Sequence, residues 1–241
     1  MTQQTLMWRV SGGSGDGIDS TSQSFAKALI RSGLHVFTHR HYPSRIRGGH
    51  TYVEVRAGPE PIRSRGNGFN VLLALGDSFA RSESDEAFYG NEEIKPLTEQ
   101  LDDLNEGGII VYDTGLIDED DVAEIDLDAR AEENGWHVYP MDLREIAQEH
   151  GRQVMRNTAG VGATAALLEM DTTEIETLIG ENMAGDMKDA NLKVLDQAYE
   201  EAQEFDFTHD LRVPEGSHDE EHALMTGSDG IAYGALDAGC R

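Results

Sequence analysis

A glycine-rich turn near the amino terminus is the first segment whose residues could do chemistry. It follows an apolar run that ends at Ser11 and precedes a helical pattern that begins at Ile18, and its glycines are Gly12, Gly13, Gly15 and Gly17. Glycine allows backbone N–H groups to approach a ligand closely, and the N-terminus of the following helix adds a partial positive charge. The turn therefore predicts a site for a phosphate-bearing ligand.

An arginine-rich loop is the second such segment, and its sequence is HYPSRIRGGH over residues 41–50. Two arginines flank a single isoleucine, and guanidinium groups bind phosphate or carboxylate with paired hydrogen bonds. The glycines that follow allow the backbone to fold over a bound group. We expect an anion-binding or partner-contacting loop that uses Tyr42, Ser44, Arg45, Arg47, Gly48 and Gly49.

The residues of the glycine turn and of the second predicted strand argue against two common nucleotide sites. No Lys-Ser or Lys-Thr pair follows Gly17, so the turn is not a P-loop. An NAD site would carry an acidic residue at the end of the second strand, whereas His35–Arg40 reads HVFTHR and contains none. The cations in this region tolerate a ribose that carries an extra phosphate, as in NADP or coenzyme A.

The charge of the chain is extreme and unevenly distributed. The 241 residues include 19 Lys and Arg and 46 Asp and Glu, which give a formal net charge of −27. Residues 1–70 hold nine Lys and Arg against four acids, and only four cations of the whole chain are Lys. This composition is typical of proteins that work in concentrated salt, and the acidic remainder disfavours nucleic acid as a partner.

Hydrophobic periodicity predicts an α/β fold with a mostly parallel sheet flanked by helices. The expected strands are Leu6–Ser11, Leu34–Phe37, Thr51–Arg56, Val71–Leu75, Ile109–Tyr112 and Trp136–Tyr139. The expected helices cover residues 18–31, 93–104, 142–149, 157–169, 172–183 and 188–204. The carboxyl-terminal portion is therefore mainly helical.

Several function classes find little support in the sequence. No run of about 18 apolar residues exists, and no basic segment followed by an apolar one opens the chain, so we expect a cytoplasmic protein without a membrane partner. The single cysteine, Cys240, excludes a cysteine-built cluster within this chain. The pattern His218–His222 fits a zinc-peptidase motif, but it lies in a polar linker, and we expect no metal site.

Taken together, the motifs resemble the gamma domain of 2-oxoacid:ferredoxin oxidoreductases, the family that includes the pyruvate and 2-oxoglutarate enzymes. The resemblance rests on the glycine turn, on Tyr-Pro-Ser-x-Ile-Arg-Gly-Gly-His and on an alternating Tyr-x-Val-x-Val-Arg strand. Later segments agree, namely 157–163 (NTAGVGA), Asn191 with Ala198-Tyr199, and 226–240 (TGSDGIAYGALDAGC). Ala198 stands where glycine is common in the family.

The resemblance implies both a fold and a role. It implies a Rossmann-like gamma domain that covers the active site and helps to receive coenzyme A as a substrate. The complete enzyme would convert a 2-oxoacid to its acyl-coenzyme A with thiamine diphosphate, Mg and [4Fe-4S] clusters, and would pass electrons to ferredoxin. Its partners would be a beta subunit, further alpha-subunit domains and ferredoxin, and we expect no catalytic residue in this chain alone.

The same resemblance suggests a division of the chain. Residues 1–204 would form the gamma domain, residues 205–222 a linker, and residues 223–241 the truncated start of a thiamine-pyrimidine-binding domain. Two other functions stay open, namely a non-catalytic nucleotide-binding or subunit-assembly module and an NADP-dependent reductase. The sequence leaves the identity of the 2-oxoacid open.

Overall fold

The computed structural model describes residues 5–13, 17–41, 50–76, 96–217 and 222–240. One six-stranded sheet forms the centre of these residues, in the order β2-β3-β1-β4-β5-β6. The strands are β1 (Leu6–Gly13), β2 (His35–His41), β3 (His50–Gly58), β4 (Phe69–Ala74), β5 (Leu104–Asp113) and β6 (His137–Met141). β1, β4, β5 and β6 run parallel, and β3 runs antiparallel to both β1 and β2. All six strands that the sequence predicts are found.

The helices lie on both faces of the sheet. They are α1 (Ile18–Arg31), α2 (Pro96–Leu101), α3 (Glu119–Glu124), α4 (Leu127–Asn134), α5 (Leu143–His150), α6 (Arg156–Leu167), α7 (Thr173–Asn182), α8 (Gly185–Gln203) and α9 (Gly227–Asp237). Helices α1 and α5 to α8 share the larger hydrophobic core with one face of the sheet, and α2 and α4 share a smaller core with the other. The mostly parallel α/β architecture is therefore confirmed.

Helix α6 lies at the centre of the larger core, and its small residues explain how. A β-carbon on Gly160 would stand 2.8 Å from a methyl group of Leu73 on β4, and one on Gly162 would stand 2.6 Å from the carbonyl oxygen of Leu195 on α8. These two glycines let α6 approach the sheet and α8 at the same time. As a result nearly every residue of α6 is buried.

The sheet differs from a classical dinucleotide-binding sheet in one respect. There the second strand lies beside the first, whereas here β3 occupies that place and β2 lies beyond it at the edge. His35–Arg40 is thus separated from β1 by a whole strand. The comparison with an NAD site assumed neighbouring strands, so the absence of an acid in β2 carries less weight than the sequence suggested.

Three helices were not expected from the sequence, and one ends earlier than expected. The acidic run Glu119–Asp121 begins α3, where Asp118 and Asp121 form a reciprocal capping box. Helix α4 follows directly, and α9 lies in the Gly- and Ala-rich tail. The helix predicted over 93–104 is α2, which ends at Leu101 because β5 already begins at Leu104.

The segment after α8 is irregular but packs against the domain. Phe205 and Phe207 contact the ring of Tyr139 on β6, with centroids 5.2 and 6.3 Å away. Farther on, the backbone N–H of Ser217 donates to the carbonyl of Gly33, 2.9 Å away, after α1. Residues 205–217 of the predicted linker therefore run across the domain from β6 to the end of α1.

Candidate functional site

The carboxyl ends of β1 and β4 mark the point where the order of the strands reverses. The chain leaves β1 through α1 toward the edge strand β2, and it leaves β4 toward β5 on the opposite side. In open α/β sheets, ligands bind in the crevice at such a point. The glycine turn begins here, since β1 ends at Gly13.

Close approach of the two strand ends requires glycine at position 12. The backbone N–H of Leu75 donates to the carbonyl of Ser11 over 2.9 Å. A β-carbon on Gly12 would stand 2.8 Å from Ile18 Cδ1 and 3.2 Å from the carbonyl oxygen of Gly76. A larger residue would therefore push α1 or the end of β4 away from the turn.

Glycine is also required at position 17, where the turn enters α1. Gly17 has a φ of +82°, in the left-handed region, and a β-carbon there would stand 2.9 Å from Asn157 Nδ2. Its carbonyl oxygen accepts hydrogen bonds from the backbone N–H and the hydroxyl of Thr21, each 3.0 Å away. The first turn of α1 is thus fixed against the first turn of α6.

Three successive residues at the start of α6 each contact a different element. The guanidinium of Arg156 lies 3.6 Å from the carboxylate of Asp113 at the end of β5, and both side chains are buried. Asn157 packs against Gly17. The hydroxyl of Thr158 donates to Asn191 Oδ1 on α8 over 2.8 Å. The start of α6 therefore sets the positions of β5, α1 and α8 at this edge of the sheet.

Burial controls the ionisation of Asp113. Desolvation raises the pKa of this carboxyl, and the nearby charge of Arg156 and a hydrogen bond from the N–H of Gly115, 3.1 Å away, act in the opposite direction. The side chains of Asp113 and Arg156 thus form a buried pair at the carboxyl end of β5, the strand beside β4.

The ends of the arginine loop are described, and they lie beside the glycine turn. His50 begins β3 and pairs with Gly13 in the antiparallel ladder. At the other end of the loop, the carbonyl of His41 accepts a hydrogen bond from the Thr51 hydroxyl over 2.6 Å, and the His41 ring stacks on Tyr52. The loop thus leaves and re-enters the sheet at the same edge as the glycine turn.

Burial favours the neutral form of His50, and a buried chain of hydrogen bonds holds its ring. Arg9 Nη1 donates to Gln100 Oε1 over 2.7 Å, so Gln100 must donate with Nε2 to His50 Nε2, 2.9 Å away. Burial lowers the pKa of His50 to about 4, and the positive charges of His41 and Arg9 act in the same direction. The ring at the base of the loop is therefore an acceptor at Nε2.

Sequence reasoning did not recognise Arg9, which lies in a strand interpreted as apolar. Its guanidinium pairs with Glu54 at 2.5 Å and Asp103 at 2.9 Å, and it lies between the rings of Tyr52 and Phe69. The residue is buried, at 2% exposure. A single arginine between apolar neighbours was the available signal, since such a charge must have partners when it is buried.

Most of the predicted site residues fall outside the described residues. These are Gly15, Tyr42, Ser44, Arg45, Arg47, Gly48 and Gly49. Gly12, Gly13 and Gly17 are described and lie together at the crevice. Two other cations of the basic half have acidic partners, because Arg40 pairs with Asp19 at 2.6 Å and Arg65 lies 3.8 Å from Glu54.

The part of the chain that the structure describes contains no cluster of three His, Cys, Asp or Glu side chains that could hold a metal ion. Of the zinc-type motif only His222 is described, and its ring lies near that of His35. Cys240 is exposed near the end of the chain. Among the described residues, no helix is long and apolar enough to cross a membrane.

Comparison with known proteins agrees with this fold. Residues 7–201 match the family described as pyruvate ferredoxin/flavodoxin oxidoreductase. The chain belongs to this oxidoreductase family. A relative from Aeropyrum pernix, the alpha subunit of 2-oxoacid:ferredoxin oxidoreductase 2, is 25% identical over 266 residues, which cover 95% of this chain but only 39% of the relative. The chain thus spans well under half the length of this relative.

Two solved structures of oxidoreductases have the same fold. The 2-oxoglutarate:ferredoxin oxidoreductase from Magnetococcus marinus, solved with 2-oxoglutarate, coenzyme A and succinyl-CoA bound, superposes with a TM-score of 0.77 at 22% identity. The match covers 97% of this chain and 37% of that one. The gamma subunit of a keto/oxoacid ferredoxin oxidoreductase from Geobacter sulfurreducens gives 0.62 at 21% identity, over 83% of this chain and 97% of that subunit.

Proposed function

We propose that this chain is the gamma-domain part of the alpha subunit of a 2-oxoacid:ferredoxin oxidoreductase, and that its crevice receives coenzyme A. The pairing of Gly13 with His50 carries the proposal, because it brings the glycine turn and the arginine loop to one edge of the sheet. Family membership supports the reaction class. The complete enzyme would oxidatively decarboxylate a 2-oxoacid to its acyl-coenzyme A and pass the electrons to ferredoxin.

The role of this chain is to bind and orient the phosphates of coenzyme A. Backbone N–H groups of the glycine turn and the N-terminus of α1 would donate hydrogen bonds to the phosphate oxygens. Arg45 and Arg47 would hold phosphate oxygens with paired hydrogen bonds. Binding in the cationic part of the chain also avoids the carboxylates of residues 71–241, whose net charge is −32.

The redox chemistry belongs to other parts of the enzyme. Other parts of the enzyme would hold thiamine diphosphate, which would supply the carbanion chemistry. A [4Fe-4S] cluster needs about four cysteine ligands, and this chain has one cysteine, so the cluster does not fit its residues. The beta subunit, further alpha-subunit domains and ferredoxin are therefore the proposed partners.

The proposed domain boundaries remain 1–204, 205–222 and 223–241. The match to a free-standing gamma subunit over 97% of its length supports the first of these. Helix α9 supports the third, because its Ile231, Tyr233 and Leu236 are 77%, 63% and 66% exposed. Apolar side chains at that exposure fit a helix that packs against residues beyond this chain.

Calorimetric titration of coenzyme A against the purified chain in molar salt tests the proposal. Arg45→Ala and Arg47→Ala should each weaken binding by about tenfold, since a charge-assisted hydrogen bond contributes roughly 1.5–3 kcal/mol. Arg63→Ala is the matched control, because Arg63 is an exposed arginine of the same basic half outside the loop. Folded protein that does not bind coenzyme A would instead favour a subunit-assembly module.

A further inference from the structure

The irregular segment over residues 205–217, here called the strap, alternates between side chains that face the domain and side chains that face solvent. Positions 206, 208 and 210 are exposed. Four of the alternate positions are apolar and pack against the larger core, namely Phe205, Phe207, Leu211 and Val213. His209 lies in the middle of this apolar row and is buried, at 6% exposure. The inward row of the strap therefore contains a single titratable group.

No hydrogen bond compensates the burial of His209. Within the described residues, neither nitrogen of its ring has a hydrogen-bond partner. The ring lies against three other rings, with centroids 5.4 Å from His137 and 5.8 Å from both Tyr139 and Phe207. A buried polar group without a partner destabilises a fold, whereas an apolar side chain in the same place would not. Packing therefore does not explain why this position holds a histidine.

The charged groups around His209 disfavour a proton on its ring. Burial, His137 on β6 and Arg212 on the strap lower the pKa of His209 to about 4, and the carboxylates of Asp210 and Glu169 act in the opposite direction. Glu169, after α6, already pairs with Arg212 over 2.6 Å, and Asp210 is exposed to solvent. Burial lowers the pKa of His137 as well. An imidazolium at position 209 would thus be a buried cation beside a second one.

Few polar contacts hold the strap on the domain. The backbone N–H of Val213 donates to the carbonyl of Leu168 over 3.4 Å, and that of Ser217 donates to the carbonyl of Gly33 over 2.9 Å. Residues 205–217 form no helix or strand, so the strap can leave the domain without breaking a ladder of backbone hydrogen bonds. Segments of this kind open at a lower free energy than the strands and helices of a core.

We propose that the strap is an acid-sensitive clasp, which stays closed while the His209 ring is neutral and is released when the ring takes up a proton. In the released strap the ring returns to its ordinary pKa of 6.5, so the released state binds the proton more tightly than the closed state, and acid favours release. Release would uncover Tyr139 and the edge strand β6. The inference goes beyond the proposed function and requires no ligand in the crevice.

Hydrogen exchange of the full chain in molar salt, followed by NMR at about pH 6.5 and about pH 4.5, tests the clasp. The readout is the protection of the Val213 and Ser217 amides, with each exchange rate divided by that of an unstructured peptide at the same pH. With a pKa of 6.5 in the released strap and about 4 in the closed one, protection should fall about 40-fold between these pH values. His209→Phe should abolish the fall, because a phenyl ring does not titrate.

His50→Gln is the matched control. Burial also lowers the pKa of His50 to about 4, but His50 begins β3 and is not part of the strap. This variant should leave the fall at Val213 and Ser217 unchanged. A fall that persists in His209→Phe, or no fall in the unmodified chain, would overturn the role of His209.

The amide of Leu73, on the buried strand β4, separates release of the strap from unfolding of the whole domain. It should keep a higher protection than the Val213 and Ser217 amides at both pH values, because it exchanges only when the core opens. Equal protection at all three amides would mean that the strap opens only when the domain unfolds, and the clasp would then be wrong.

Discussion

Gly13 and His50 are paired across the antiparallel ladder of β1 and β3. Gly13 is the last residue of β1, and His50 is the first residue of β3 after the arginine loop. Because the two strands run in opposite directions, the turn leaves the sheet where the loop returns. A parallel β3 would have brought the loop to the far end of the sheet, and no common anion site could form.

Replacing Gly17 with alanine should weaken both folding and coenzyme A binding. The left-handed φ of +82° costs a residue with a β-carbon about 1–2 kcal/mol, and the new methyl group would also meet Asn157 Nδ2 at 2.9 Å. Gly107→Ala is the matched control, because Gly107 has a φ of +70° and nothing within 4 Å of an added β-carbon. Guanidinium unfolding and calorimetry measure the two effects.

The comparison isolates the contact with Asn157. Gly17→Ala should lower the free energy of unfolding by about 1 kcal/mol more than Gly107→Ala, and it alone should reduce affinity for coenzyme A. Equal losses of stability in the two variants, with unchanged affinity, would show that Asn157 moves aside without consequence and does not position the turn.

Much of the fold could be predicted from local patterns. Val71–Leu75 reads as a strand buried on both faces, and it is buried on both faces because the two cores meet at β4. The helical spacing of Phe25, Ala26 and Leu29 predicts the buried face of α1. These features depend on residues a few positions apart, and a sequence displays them directly.

Other features depend on contacts between distant segments. Direction and position of β3 follow from its pairing with β1 about 45 residues earlier, and no local period encodes that pairing. The environment of Arg9 also depends on distant segments, since its partner Gln100 lies on α2 and its partner Asp103 lies in the turn after α2. The glycine turn could therefore be recognised from sequence, whereas the antiparallel pairing that places it beside the base of the arginine loop could not.

Removing the guanidinium of Arg9 should be the most destabilising single change at this edge. Arg9→Met leaves Glu54 buried without its closest partner, and breaking a buried pair in this way costs about 3–5 kcal/mol. Arg65→Met is the comparison, because the Arg65 side chain is 51% exposed and lies 3.8 Å from the same Glu54 carboxylate. It should lower the free energy of unfolding by less than about 1 kcal/mol. Chemical denaturation in molar salt measures the free energy of unfolding of both variants.

A second substitution tells an uncompensated charge from lost packing. Arg9→Met combined with Glu54→Gln should recover part of the stability, because the stranded charge is gone. Arg9→Lys should recover little, since an ammonium does not reproduce the flat guanidinium between Tyr52 and Phe69. If Arg9→Lys is as stable as the unmodified chain, the stacking and the paired hydrogen bonds contribute nothing measurable.

Stability should fall as the pH drops from about 6.5 toward 4. Burial lowers the pKa of His50 and of His209 to about 4 from an unfolded value of 6.5, so between these limits the unfolded chain binds more protons than the folded one. Each histidine should therefore contribute a slope of up to about 1.4 kcal/mol per pH unit in this window. Denaturation midpoints at about pH 4.5, 5.5 and 6.5 measure this slope.

His209→Phe should flatten that slope. His209 is 6% exposed, and within the described chain neither ring nitrogen has a hydrogen-bond partner, so a phenyl ring loses no bond and keeps the stacking on Phe207. Above about pH 7 both histidines are neutral in both states, and the difference between variant and unmodified chain should be constant. A slope that His209→Phe leaves unchanged would mean that other groups dominate the acid sensitivity.

Dilute buffer should loosen the acidic half of the chain. Exposed carboxylates such as Glu119, Asp120, Glu132 and Glu133 lie on the successive helices α3 and α4, and repulsion between such charges is screened over about 3 Å in 1 M salt but over about 10 Å at 0.1 M. Circular dichroism and size-exclusion volume should therefore change below a few hundred millimolar salt. Changing these four residues to Gln or Asn should lower the salt concentration at which the change occurs, because less repulsion remains to be screened. The capping residues Asp118 and Asp121 stay in place in this variant. Native dichroism and an unchanged elution volume at low salt would contradict the expectation that this chain depends on concentrated salt.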